Sequence, residues 1–298
     1  VAREIIAKSI LNKTRRRDPW FLDDYTINPF SACPFNCLYC YIRGSKYGIH
    51  MQEKVSVKTN AIPILEKQLN SCAKRKEYGY IVIASATDPY LQIEEKYQLT
   101  RRILELILKY RFPLHIITKS PGVLRDIDLL HEIDKKAFVP EDLQSKTKHG
   151  VFISFSISTM NDEVAKIFEP GAPAPSLRLK AIEQLLKEGF WTGVSLMPLL
   201  PYISDTGEHL QLLFQTFANI NVKYVLPATL TLPGSGEADA KTLYFEAVRK
   251  NFPELLEKYH RLFGSGSEMP AYYKEALRNK TNELAKAFGL RTTILKAT

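Results

Sequence analysis

Three of the four cysteines stand close together, at Cys33, Cys37 and Cys40, in the segment Asn28-Pro-Phe-Ser-Ala-Cys33-Pro-Phe-Asn-Cys37-Leu-Tyr-Cys40-Tyr-Ile-Arg43. The spacing is C-x3-C-x2-C. Thiolates so spaced favour an iron–sulfur cluster or zinc. A closed structural site needs four protein ligands. The fourth cysteine, Cys72, follows Leu65 by seven and Leu69 by three, which places it on the buried stripe of a helix as a small core residue. Three cysteines without a fourth would leave one iron of a [4Fe-4S] cluster open to a substrate or cofactor. The competing reading is a zinc site completed by a histidine such as His50.

Something must hold that loop. Runs of β-branched and aromatic residues at 80–87, 113–120, 151–158, 190–200 and 224–232 read as strands, and helical spacing occupies 62–76, 96–110, 123–136, 176–188 and 207–219 between them. With residues 25–30 as a first strand, six strand–helix units follow one another. This order predicts an α/β fold, a partial (β/α)6 TIM-like barrel built by right-handed crossovers. Residues 236–298 read as a helical C-terminal cap, with 264–267 as a joint, and 1–24 as a basic N-terminal segment before a barrel over 25–235. In such folds chemistry gathers where the strands end. That rule selects the cysteine loop, Thr87 and Asp88, Lys119, Ser154 to Ser158, and Met197-Pro198.

The charge balance adds a partner. Of 41 Lys and Arg against 32 Asp and Glu, the excess lies in the first half, where residues 1–150 hold 25 basic and 17 acidic side chains. Basic surface beside a reactive loop suits DNA or RNA, although a solvated lysine-rich face has the same composition. Clustered rather than dispersed cysteines do not suggest a secreted disulfide scaffold. No apolar run reaches the roughly 18 residues of a membrane span, so the expectation is a cytoplasmic protein without membrane partners.

The cysteine motif, with an aromatic residue before its third cysteine and a preceding barrel strand, resembles the radical S-adenosylmethionine (SAM) superfamily. Tyr25-Thr-Ile-Asn-Pro, Leu38-Tyr-Cys-Tyr-Ile-Arg43, Ala84-Ser-Ala-Thr-Asp-Pro-Tyr90, Ile117-Thr-Lys-Ser120, Arg125-Asp126, Glu169-Pro170, Arg178-Leu179, Met197-Pro-Leu-Leu-Pro201 and Asp205 extend the resemblance to the branch related to spore photoproduct lyase. The resemblance implies a [4Fe-4S] cluster on Cys33, Cys37 and Cys40 whose open iron chelates SAM. An electron from an external donor such as flavodoxin or ferredoxin would cleave SAM to methionine and a 5′-deoxyadenosyl radical. It further implies that Lys119 pairs with the SAM carboxylate, that Thr87 and Asp88 stand near its amino group, and that Ser154 or Ser156 bonds the ribose. Arg178 is a second candidate for the carboxylate, and Asp88, before Pro89, equally suits a turn. In the lyase a cysteine returns a hydrogen atom to the product radical through two tyrosines. Tyr39 and Tyr41 match the tyrosines, but Ala86 stands where the cysteine would be.

Three functions follow as expectations. One is lyase-like repair or modification of a nucleic acid base, for which Lys13-Thr-Arg-Arg-Arg17 and Trp20 would supply phosphate and base contacts. The second is radical chemistry on a peptide or small metabolite. The third is a non-enzymatic zinc or iron–sulfur protein.

Overall fold

The computed structural model describes residues 2–45 and 54–295. Six parallel strands form the central sheet: β1 (Tyr25–Ile27), β2 (Ile81–Ile83), β3 (Leu114–Thr118), β4 (Val151–Ser156), β5 (Trp191–Leu199) and β6 (Val225–Thr229). Each pairs with the next in chain order. Winding in one direction curls the sheet without closing it, because among the described residues β6 does not pair with β1. Instead Asn12–Lys13 adds an antiparallel edge to β1. The expected partial barrel is the observed fold.

The strands are buried on both faces, so they read as continuous apolar runs. Their outer face packs on helices α1 (Ala61–Lys74), α2 (Leu99–Tyr110), α3 (Ile127–Lys136), α4 (Pro175–Lys187) and α5 (Gly207–Asn219). Cys72 lies in this core, on the stripe with Leu65 and Leu69. The helix expected over 96–110 is broken, since Gln98 adopts a left-handed φ of 49° that separates Glu94–Tyr97 from α2. The helix expected from 123 opens as a 3-10 turn over Pro121–Asp126. An additional short helix, Asp162–Phe168, begins where the Asn161 side chain accepts bonds from the amides of Glu163 and Val164.

The C-terminal region is helical, as expected, and divides at the joint. Helices α6 (Ala240–Asn251) and α7 (Leu256–Phe263) form a second core with Tyr39, Leu200 and Leu230. Beyond Gly264, α8 (Ala271–Ala287) packs on β6 and α5, and its Leu277, Leu284 and Ala285 join the main core.

Inside the barrel, Leu22, Tyr80, Phe152, Tyr224 and Leu226 fill the floor. A polar chain crosses above them. The Phe21 carbonyl meets His115 Nδ1 at 2.8 Å, His115 Nε2 meets Ser154 Oγ at 2.8 Å, and Ser154 Oγ meets the Tyr224 hydroxyl at 2.9 Å. Burial pulls the His115 pKa down to about 4, so the imidazole is neutral at pH 7. Gly193 makes room for this chain: a Cβ there would lie 2.3 Å from the Tyr224 ring. Gly193→Ala should therefore destabilise the protein by about 1–3 kcal/mol through overpacking, read as a lower denaturant midpoint. An unchanged midpoint would mean that the ring is not held.

Candidate active site

The cysteine loop leaves the top of β1 through Phe30–Ser31, which pairs antiparallel with Ser56–Lys58; that strand pairs parallel with Arg3–Ile5. Left-handed residues Ala32 and Asn36, at φ 60° and 51°, give the tight turns. The Cys33 carbonyl accepts from the Asn36 amide at 3.2 Å, and the Cys37 carbonyl from the Cys40 amide at 3.2 Å. Arg43 clamps the loop from below. Buried to 5% exposure, it donates to the Cys37 carbonyl at 3.2 Å, to the Ala238 carbonyl at 3.3 Å and to Asn36 Oδ1. On the other side the loop rests on the segment after the short helix: the Leu38 amide donates to the Phe168 carbonyl and the Gly171 amide to the Phe35 carbonyl. A Cβ on Gly171 would sit 2.1 Å from the Pro34 carbonyl oxygen, so only glycine fits.

The three thiols act on one another electrostatically. Burial pushes Cys33 up to about 12, with the Asp88 carboxylate adding to the rise. Cys37 and Cys40 also rise by burial, against which the Lys119 ammonium acts. Metal-bound cysteine is thiolate, so the site needs positive charge that the protein alone does not supply. Among the described residues, no three His, Cys, Asp or Glu side chains converge on a point as ligands of one ion would. Three thiols on one short loop, acting on one another, are the donor set that an iron–sulfur cluster takes. His50 lies outside the described residues.

Next to the loop is a fully buried carboxylate, Glu169. It accepts from Ser158 Oγ at 2.7 Å and from the Tyr39 hydroxyl, pairs with Arg178, and lies 3.9 Å from Lys119 Nζ. Burial alone would raise its pKa, but Lys119 first and Arg178 second hold it down to about 2. Lys119 follows the last residue of β3, and its place is set by Asp88. The Asp88 carboxylate accepts from the Lys119 amide at 2.7 Å, from Thr118 Oγ1 at 2.8 Å and from the Tyr90 amide at 2.9 Å. The last of these is the turn bond that an Asp before proline suits. Thr87 Oγ1 is buried with no partner among the described residues, and Ser156 is half-buried.

Not every expected residue reaches this place. Ser154 belongs to the floor, its hydroxyl occupied by His115 and Tyr224. Arg178 is consumed within the protein, donating to the Pro173 carbonyl at 2.8 Å, to the Ser156 carbonyl at 2.9 Å and to Glu169. Tyr39 and Tyr41 diverge on either side of Cys40. Tyr39 turns inward to Glu169, whereas Tyr41 donates its hydroxyl to the Ser85 carbonyl beside Ala86 and is 59% exposed. The run from Lys13 to Arg17 also lies elsewhere. Lys13 pairs opposite Tyr25, so the chain continues beneath the N-terminal end of β1, at the floor, where Arg17 is engaged by Asp24 and Asp142.

Residues 27–213 match the Radical SAM superfamily. The chain belongs to that superfamily. As a radical SAM protein it is an enzyme, with a [4Fe-4S] cluster and SAM as its cofactors, and the buried Thr87 hydroxyl without a partner among the described residues and the weakly paired Lys119 are groups that fit such a cofactor. An uncharacterized protein of Mycobacterium tuberculosis is 29% identical over 293 residues, covering 96% of this chain and 81% of that one. The radical SAM Nalpha-GlyT isomerase of Pseudomonas phage M6 is 23% identical over 250 residues, covering 84% of this chain and 45% of the isomerase. Spore photoproduct lyase complexed with dinucleoside spore photoproduct shares the fold at a TM-score of 0.65 and 15% identity, covering 96% of this chain and 78% of the lyase. Membership in an enzyme superfamily overturns the reading as a non-enzymatic metal protein. No described helix is long and apolar enough to cross a membrane.

Removing the Glu169 charge strands Arg178. Glu169→Gln should cost about 3–5 kcal/mol, and less when Arg178→Met accompanies it. The folded pKa of Glu169 lies below its ordinary 4.5, so the stability it supplies is present above 4.5 and is lost as pH falls through about 2. Acid titration of unfolding should show this loss in the wild type and not in Glu169→Gln; identical curves would contradict the assignment.

Proposed function

We propose that this radical SAM enzyme repairs or modifies a base of a nucleic acid strand by lyase-like chemistry. The observation that carries the reading is the rim on the β5 side of the mouth. There Lys258 lies over the Tyr202 ring at 5.4 Å, with Arg261 and Tyr272 nearby, and Tyr272 is 70% exposed. An exposed ring and a half-buried one beside cations suit stacked bases and phosphates. The rim is built around Asp205, which accepts from the Tyr202 amide at 2.7 Å and the Tyr273 hydroxyl at 2.6 Å. The fold shared with a lyase bound to a dinucleoside photoproduct supports the same reading.

When bound, the reduced cluster supplies the electron that breaks the sulfonium bond of SAM and yields the 5′-deoxyadenosyl radical. Cys33, Cys37 and Cys40 would hold the cluster, Lys119 the SAM carboxylate, Thr87 the amino group and Ser156 the ribose. Asp88 and Glu169 act through Lys119, the first by fixing its backbone and the second by holding its ammonium. Tyr41 rather than Tyr39 stands on the substrate side, where Ala86 provides no hydrogen, and is the residue placed to exchange a hydrogen atom there. An external donor such as flavodoxin or ferredoxin would reduce the cluster.

Ala86 also supports a second reading, radical chemistry on a peptide or small metabolite with no need for a protein thiol. Binding of a single-stranded oligonucleotide, followed by fluorescence anisotropy, separates the two. Its affinity should fall steeply with salt, and Tyr272→Ala combined with Lys258→Ala should weaken it about tenfold. No binding, together with turnover of a peptide or metabolite, would favour the second.

A further inference from the structure

The opposite rim, between the tops of β1 and β2, holds a charge that the chemistry above does not use. Lys58 ends the strand Ser56–Lys58 and is half-buried. Its Nζ donates to the Asn28 carbonyl at 2.6 Å, and among the described residues no carboxylate pairs with it. Burial lowers its pKa, and among the described residues no opposing charge offsets the shift. A neutral carbonyl satisfies one of the three donors of an ammonium, and a desolvated charge left otherwise unpaired is costly. A protein that needed only a hydrogen bond to Asn28 could use an amide at lower cost.

Asn28 ties this ammonium to the reacting side of the mouth. Its Nδ2 donates to Ser85 Oγ at 3.1 Å, and its Oδ1 accepts from the Ala86 amide at 2.9 Å. Ser85 in turn receives the Tyr41 hydroxyl, which fixes the exposed Tyr41 ring on the same stretch of rim. An ammonium and an immobilised aromatic face, joined through one asparagine, match a phosphate and its neighbouring base more closely than they match an uncharged metabolite.

We propose that Lys58 is a phosphate-binding residue of the substrate site, its ammonium taking a phosphodiester oxygen of the strand whose base approaches Tyr41 and Ala86. The assignment rests on the nucleic-acid reading for the identity of its ligand. The anion site itself does not depend on that reading. Lys58 touches no reacting atom, and its contribution is to fix the register of the strand against the mouth.

The test uses the whole 298-residue chain with its cluster reconstituted. Reductive methylation of Lys58, followed by peptide mass spectrometry, should slow about tenfold when inorganic phosphate or a single-stranded oligonucleotide is present. In oligonucleotide titrations across salt, Lys58→Gln should lower the slope of log affinity against log salt by about one, and Lys58→Arg should restore it. An unchanged slope in Lys58→Gln, with the oligonucleotide still bound, would overturn the site and leave the nucleic-acid reading standing. Protection by phosphate without any oligonucleotide binding would support the anion site and remove the nucleic-acid reading. Protection by an acidic peptide and not by phosphate would overturn the phosphate assignment. The methylation readout is made on the wild type, so it decides the matter even where a variant fails to fold.

Discussion

A single buried carboxylate joins the parts of the mouth to one another. Glu169 receives Tyr39 from the cysteine loop, Lys119 from the end of β3, Ser158 from the end of β4 and Arg178 from α4. Each of these groups would be costly to bury alone, and each gains its partner only if the others are in place. The charge balance is uneven by design of the contacts: one carboxylate faces two cations, of which Arg178 is in direct contact and Lys119 stands off at 3.9 Å. That leaves the Lys119 ammonium with attraction to spare for the carboxylate of SAM, beside thiols that also draw on its charge.

The barrel separates two environments along its axis. At the floor, His115, Ser154 and Tyr224 satisfy one another and the backbone, so polar atoms are enclosed without leaving donors for a ligand. At the mouth the opposite holds: among the described residues Thr87 Oγ1 is buried without a partner, Ser156 is half-buried, and the Lys58 ammonium meets a neutral carbonyl and no carboxylate. Residues with the same side chain on one strand, Ser154 and Ser156, thus have different prospects. Their depth in the barrel decides which one a cofactor could reach.

Much of this was legible in the residues. The strand–helix alternation located all six barrel strands, because buried parallel strands are apolar throughout and stand apart from amphipathic helices. The cysteine spacing located the loop, and the seven-residue offset from Leu65 placed Cys72 in the core. What stayed hidden depended on contacts distant in sequence. Glu169 and Arg43 stand in recognisable motifs, but nothing local distinguishes a buried, shared charge from an exposed one. The run from Lys13 to Arg17 invited a role at the reactive end. Composition carries no information on which end of a strand a segment packs under, and the antiparallel pairing of Lys13 with Tyr25 sends the run to the floor. Likewise, Arg178 carries the charge suited to a ligand carboxylate, yet the protein's own carboxylate takes it.

The most direct measurement is anaerobic reconstitution of the cluster, followed by reduction with dithionite in the presence of SAM and assay of 5′-deoxyadenosine. The account predicts formation by the wild type and none by Cys37→Ala, with Lys119→Met requiring more SAM to reach the same rate. A wild type that holds its [4Fe-4S] cluster but forms no 5′-deoxyadenosine, with or without nucleic acid, peptide or metabolite substrate, would contradict it. So would formation that persists undiminished in Cys37→Ala.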